Sequence, residues 1–208
     1  MEDRRKYILT LWPGSELFDT GVVDPYADYI VFDSVTRADS SISGGSATEK
    51  GGAWTALVGT LGVESDLLYF PSATEGDLAS LGSTANGSVQ SGVTPGAFGT
   101  TGLFCRGSDA SNYLLVQVNV IGTVSMYSYV AGSATLLTIG GPVTLGPLAV
   151  LRIVFNGTSV SASVDGVDIF GVFTLTGTAA ALSGTDCGIS SRGTASGANR
   201  WKNFRVTL

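Results

Sequence analysis

From Tyr29 onward, short apolar stretches recur about every eight to twelve residues and are separated by Gly, Asn, Asp and Pro, the rhythm of a β-sandwich. The clearest fall at 29–32, 54–58, 67–70, 102–106, 113–121, 124–130, 148–155, 160–164 and 201–208. Leu114, Val116, Val118 and Val120 occupy every second position, which predicts a strand with one buried face. Over 148–155 a nearly continuous apolar run is broken by Arg152, which predicts a central strand covered on both faces. Asn156-Gly157 then leads into the alternating stretch Ser159-Val160-Ser161-Ala162-Ser163-Val164, the signature of a hairpin with a two-residue turn; Asp165-Gly166 supplies a second such turn. In Phe170-Gly171-Val172-Phe173-Thr174-Leu175 the apolar residues fall on both faces, which predicts either a central strand or an edge covered by a partner. Only 74–81 has room for two helical turns, and the Gly/Ser/Thr-rich stretch 73–99 reads as a long loop where a binding surface could be built.

Residues 1–29 have a different texture. Tyr7 to Trp12 could form one strand, but the rest, with Gly21, Pro25 and the acids Asp19, Asp24 and Asp28, lacks the apolar period to make its own core. We read 1–29 as an arm and 30–208 as the sandwich. Tyr7, Leu9, Leu11, Trp12 and Phe18 are the arm's candidates for docking on a neighbouring subunit.

Composition sharpens this picture mainly by exclusion. A single all-β domain accommodates the 208 residues, and 29 glycines suit many tight turns. The charged fraction is 13% and the mean hydropathy +0.32, yet no apolar run approaches the ~18 residues that span a bilayer. Membrane insertion is not expected, and the apolar residues belong in a core or in a homo-oligomeric interface. Histidine is absent, which removes Ser-His-Asp and Cys-His nucleophilic sites and His-ligated zinc together. A net charge of −6 gives no electrostatic footing for nucleic acid. The basic cluster Arg4-Arg5-Lys6 precedes an apolar stretch too short for a secretion signal, so folding in a cytoplasm is expected. Cys105 and Cys187 read as two buried small apolar residues, with their pairing left open.

One series of segments resembles a known family. Phe32-Asp33-Ser34-Val35-Thr36-Arg37-Ala38-Asp39-Ser40-Ser41-Ile42, then Trp54-Thr55-Ala56 and Gly59-Thr60-Leu61-Gly62-Val63, resemble the opening of concanavalin A-like jelly-roll domains. Gly102 to Arg106, Asp109 to Tyr113, the hairpin from Leu151 to Gly166, and Trp201 to Val206 follow in the matching order. Domains with this opening are similar to ones in minor tail and other virion-surface proteins of tailed phages of actinobacteria. The resemblance implies an all-β, two-sheet antiparallel jelly-roll sandwich preceded by an extended N-terminal arm. It also implies a place on a virion, contacts with other virion structural proteins, and a surface suited to a host cell-surface polysaccharide.

Catalysis is not expected. The glucanase branch of the fold uses a Glu-x-Asp-x-x-Glu strand, whose alternation points both glutamates to one side. Here Glu64-Ser65-Asp66 begins the pattern, but Tyr69 stands where the second Glu belongs. Trp54 and Trp201 fit the core better than a sugar platform. Tyr127 and Tyr129, two apart, share a face and make the better platform, with Tyr113 as a further candidate. Asp109 and Asn112, with Ser108 and Ser111, are the one candidate calcium site; no other cofactor is expected. Asp165 and Asp168 read as turn residues, and Arg37 and Asp39 as a pair that fixes the first strand. The expected function is a non-enzymatic virion protein that displays the domain for glycan adhesion, the alternatives being a purely structural decoration protein and a glycan hydrolase. Deleting residues 1–29 should leave the sandwich folded, by circular dichroism and thermal melting, but abolish its incorporation into particles; an unfolded truncation contradicts the arm assignment.

Overall fold

The computed structural model of the chain describes residues 28–36, 39–42, 49–50, 52–71, 76–193 and 198–208. The docking candidates Tyr7, Leu9, Leu11, Trp12 and Phe18 lie outside the described residues, as does Arg37. In chain order the elements are β1 (Tyr29–Asp33), β2 (Ser40–Ile42), β3 (Thr55–Val58), β4 (Leu61–Glu64), β5 (Leu67–Tyr69), β6 (Asp77–Ser83) and β7 (Gly87–Thr94). There follow β8 (Thr100–Asp109), β9 (Asn112–Asn119), β10 (Val124–Val130), β11 (Ser133–Gly140), β12 (Ala149–Asn156), β13 (Ser159–Val164), β14 (Val167–Asp168) and β15 (Phe173–Thr174). A single helical turn, α1 (Gly177–Ala180), precedes β16 (Asp186–Arg192) and β17 (Arg200–Thr207).

The strands form two antiparallel sheets, the sandwich that the strand rhythm predicts and the jelly roll that the resemblance implies. The first runs β14-β13-β12-β7-β17-β5-β4-β2, with β1 also on β17 and β15 also on β13; the second runs β11-β10-β9-β8-β16-β6-β3. Register is set by which parity is apolar, because a one-residue slip would turn every core side chain outward. In β12, Ala149, Leu151, Ile153 and Phe155 face the core, while Arg152 and Val154 face solvent. This strand is central, between β13 and β7, but only one of its faces is covered, contrary to the expectation from its apolar run. Val154 is an exposed apolar residue on the outer face of the sheet.

Two tryptophans bridge the sheets. Trp54, just before β3, packs edge-on against Phe204 of β17 at 5.0 Å and donates its indole N–H to Asp33 of β1 at 2.5 Å. Trp201 of β17 packs edge-on against Phe70 at 5.7 Å and donates across the sandwich to the Gly102 carbonyl of β8 at 3.2 Å. Both rings are fully buried, as the sequence reading favoured. Asp33 is itself buried and also accepts the Val35 N–H, so its carboxylate depends on these donors.

The stretch 73–99, expected to be a loop, carries β6 and β7, and the residues allowed a helix lie in β6 from Asp77 on. Small residues misled the reading because here they are the ones that fit: a Cβ on Gly82 would meet Val31 Cγ2 at 2.5 Å. The hairpin between β12 and β13 pairs Asn156 with Ser159, so its two turn residues are Gly157 and Thr158, one position later than expected. The stretch 170–175 is no continuous strand: only Phe173 and Thr174 pair with β13, Leu175 enters the core and Val172 is exposed. Val120 lies past the end of β9 in the turn to β10 and is solvent-facing, breaking the buried series of Leu114, Val116 and Val118.

Cys105 and Cys187, on the adjacent strands β8 and β16, are both buried and free. Burial pushes the Cys187 thiol up to about 12 and raises Cys105 as well. The unfolded chain ionises its thiols first, near 8.5, so stability is intact below that pH and declines as pH rises toward the folded value. Chemical denaturation should show a loss of about 2 kcal/mol from pH 8 to pH 10 through Cys187 alone, with Cys105 adding its own share, so Cys187→Ala should remove about 2 kcal/mol of the loss and leave the part due to Cys105; a slope unchanged by the substitution contradicts the assignment. Trp54→Phe leaves Asp33 short of a donor and should cost about 2–3 kcal/mol in urea unfolding; a loss under about 0.5 kcal/mol contradicts the bridging role of the indole.

Candidate functional site

The site is built on the outer face of the second sheet. On β9 and β10, Leu114, Val116, Val118, Val124 and Met126 enter the main core, so the alternate residues must point the other way. Cross-strand register aligns those alternates: Thr100 with Asn119, Gly102 with Gln117 and Ser125, and Phe104 with Leu115, Tyr127 and Leu136. The inner part of this outer face closes as a second apolar cluster of Leu78, Phe104, Tyr113, Leu115 and Tyr129, against which Tyr127 packs partly buried. Tyr113 and Tyr129 stack at 4.4 Å with their planes 10° apart, and Phe104 meets Tyr113 edge-on.

Beside the cluster an open groove of about 600 Å³ runs across β8, β9 and β10. Tyr127, the rim of Tyr129, Gln117, Asn119 and Arg192 line it, and Phe98 and Ile121 stand at its margin. Phe98 is 80% exposed, Ile121 70% and Val120 52%, three large apolar side chains gathered at one place. Phe98 is held there by construction. The buried Asn199 accepts the Gly96 N–H at 2.7 Å and donates to the Thr100 carbonyl at 2.9 Å and to Ser191 Oγ at 2.8 Å. Gly193, at φ +103, lets the opposite wall approach: a Cβ there would meet the Phe98 carbonyl oxygen at 2.4 Å.

Arg192, at the end of β16, is the only charged side chain lining the groove among the described residues. Its guanidinium lies 4.5 Å over the Tyr129 ring, and Nη2 donates to the Tyr113 hydroxyl at 3.4 Å. Burial raises the Tyr113 phenol above its ordinary value, and the nearby arginine opposes that rise. Two amides complete the floor. Gln117 Oε1 accepts from Thr100 Oγ1 at 3.1 Å, and Asn119 Oδ1 accepts the N–H groups of Ile121 and Thr123 at 3.2 and 2.9 Å.

The sequence candidates divide. Tyr127 and Tyr129 do share a face and both reach the groove, but Tyr113, at 2% exposure, lies beneath Tyr129 and supports it rather than facing a ligand. Asp109 and Asn112 form the turn between β8 and β9. The Asp109 carboxylate accepts the Ser111 N–H at 2.7 Å, Asn112 Nδ2 at 3.0 Å to each oxygen, and Ser108 Oγ at 3.2 Å; Asn112 Oδ1 accepts the Ala131 N–H. These bonds, the Ser111 N–H foremost, hold the Asp109 carboxyl below its ordinary value. A calcium ion there would have to displace Asn112 Nδ2, and no group of three His, Cys, Asp or Glu side chains converges among the described residues. Asp165 and Asp168 cap turns, accepting the N–H groups of Val150 and Gly171. Asp39 accepts the Ser65 N–H and so ties the segment before β2 to the turn after β4. Glu64 is in an ion pair with Arg200 at 2.8 Å, and that guanidinium lies over Tyr69. Phe98, Gln117, Asn119, Ile121 and Arg192 were not singled out by sequence. Only the glycine-flanked aromatic in Pro95-Gly96-Ala97-Phe98-Gly99 offered a signal.

No protein-family model matches the chain, and no curated protein matches it by sequence. Solved structures do match in fold. The carbohydrate binding module CBM66 from Bacillus subtilis superposes with a TM-score of 0.63 at 16% identity, over 74% of this chain and 95% of that one. A Bacillus subtilis protein described as having a galectin-like fold gives 0.53 at 12% identity, over 74% and 88%. The Bacillus licheniformis β-glucanase gives 0.52 at 9% identity, over 85% and 97%. At these identities the likeness is one of fold, a two-sheet jelly-roll sandwich.

Proposed function

We propose that the chain is a non-catalytic saccharide-binding domain whose ligand lies in the groove on the outer face of the second sheet. The observation that carries this reading is the convergence in one groove of exposed Phe98, Ile121 and half-buried Tyr127 with the amides of Gln117 and Asn119. Apolar and aromatic faces cover the C–H faces of a sugar ring while fixed amides meet its oxygens, and a groove held by main-chain register needs little ordering on binding. The same sandwich serves a module named for carbohydrate binding, which supports the reading without carrying it.

Binding without hydrolysis is the form we favour. Glycoside hydrolysis needs two carboxyl groups roughly 5–10 Å apart beside the scissile bond. No Asp or Glu lines the groove among the described residues, and Glu64, the remnant of the glucanase pattern, is paired with Arg200. The setting we favour, on the resemblance of the segment from Phe32 to Val63, is the surface of a virion, among other virion proteins and in repeated copies. A shallow site binds weakly alone, and many copies on one particle raise effective concentration and slow escape.

The test is binding of the fluorescently labelled protein, free and clustered on beads, to actinobacterial cells and their isolated envelope polysaccharides. Saturable binding competed by free polysaccharide is expected, and Phe98→Ala or Tyr127→Ala should weaken it about tenfold with little change in melting temperature. No binding even by clustered protein overturns the proposal. So does binding that neither substitution affects.

A further inference from the structure

The hydrogen-bond inventory of the groove specifies its ligand further. Neutral sugars present hydroxyls that donate as well as accept, and a site for them profits from carboxylate acceptors. This groove has none among its described lining residues. Its amide oxygens are already used inside the protein: Gln117 Oε1 by Thr100, and Asn119 Oδ1 by the N–H groups of Ile121 and Thr123. What the two side chains have left is mainly donor capacity, Gln117 Nε2 and Asn119 Nδ2, beside one lone pair on Gln117 Oε1 and the Tyr127 hydroxyl, which can donate or accept. Arg192 adds a third donor set and the only charge among the described lining residues. Its Nη2 is engaged with Tyr113 and its Nε is sealed from solvent, which leaves Nη1 without a protein hydrogen bond and in reach of water. The ring of Tyr129 beneath the guanidinium holds it flat, so its edge stays presented.

A floor richer in N–H donors than in acceptors, around a guanidinium with no carboxylate among the described lining residues, is matched to a negatively charged group that only accepts. Resting on the saccharide reading above, we infer that the groove takes an anionic saccharide whose carboxylate or phosphate sits on Arg192, flanked by the amides of Gln117 and Asn119. The sugar ring carrying that group would lie toward Tyr127 and the Phe98–Ile121 margin. A uronic acid and a polyol-phosphate polymer share this chemistry.

The experiment is calorimetric titration of the full chain with an oligogalacturonate, with its fully methyl-esterified form, and with a ribitol-phosphate oligomer, at low and high salt. One of the two acidic probes is expected to bind at least about tenfold more tightly than the neutral ester and to weaken with salt. Which of the two binds identifies the anionic group. Asn119→Asp keeps the Oδ1 that caps the turn and replaces the N–H₂ donor with a negative oxygen, so it should abolish acidic binding while leaving the melting temperature nearly unchanged. Gln117→Glu should do the same, and Arg192→Gln should erase the preference for acid over ester. Equal binding of acid and ester, or acidic binding that survives Asn119→Asp, overturns the anionic specificity and leaves saccharide binding standing. If none of the three probes binds while the envelope polysaccharides do, the anionic inference is overturned and saccharide binding stands; if the polysaccharides fail as well, the saccharide reading falls and takes this inference with it.

Discussion

Two indole rings are buried between the sheets, and each brings an N–H that has to find an acceptor where no water reaches. An unmet donor there costs about 1–3 kcal/mol, a sizeable part of a typical domain's stability. Trp54 meets the need with Asp33 and Trp201 with the Gly102 carbonyl, each across from one sheet to the other. These bonds have direction, unlike the apolar contacts around them. They fix how β17 and β1 stand over β8 and β3, where burial alone would tolerate sliding.

The groove inherits its geometry from this. Gly102, which receives the Trp201 bond, is the cross-strand neighbour of Gln117, and Thr100, which orients the Gln117 amide, is two residues before it on the same strand. Two residues before Trp201, the buried Asn199 anchors the turn that presents Phe98. Core and surface are thus pinned by one short stretch, 199–201, in which Arg200 also takes Glu64 out of play. A site with three exposed apolar side chains is a solubility cost that a loosely held loop could not restrict to one place. Here the three stay together because the backbone behind them is held in the sandwich.

Much of the fold was legible because alternation is written in the sequence wherever large apolar residues carry it. Leu114, Val116 and Val118 on β9 and Val160, Ala162 and Val164 on β13 all enter the core as their period requires. On β6 and β7 the inward Leu81, Val89 and Val93 alternate with inward Ala79 and Ser91 and with glycines, and these small residues thin the apolar signal. The apolar run of β12 misled in the opposite way, since Val154 is simply exposed. The site was less legible. Tyr127 and Tyr129 were found from their spacing, but the floor of the groove is polar and joins the hairpin β8–β9 to β16, a strand far along the chain. Nothing local marks Gln117 or Arg192 as neighbours. Asp109 and Asn112 looked like ligands because short polar side chains in a turn have the same composition whether they hold a cation or the turn's own N–H groups.

The most direct test is a titration of isotope-labelled protein with an acidic oligosaccharide followed by two-dimensional NMR. Saturable shifts should concentrate in the side-chain amides of Gln117 and Asn119, the Arg192 guanidinium, and the backbone from Phe98 to Thr100. Shifts confined to the outer face of the other sheet, around Ser88 and Arg152, or no shifts at millimolar ligand, would contradict the groove as the binding site.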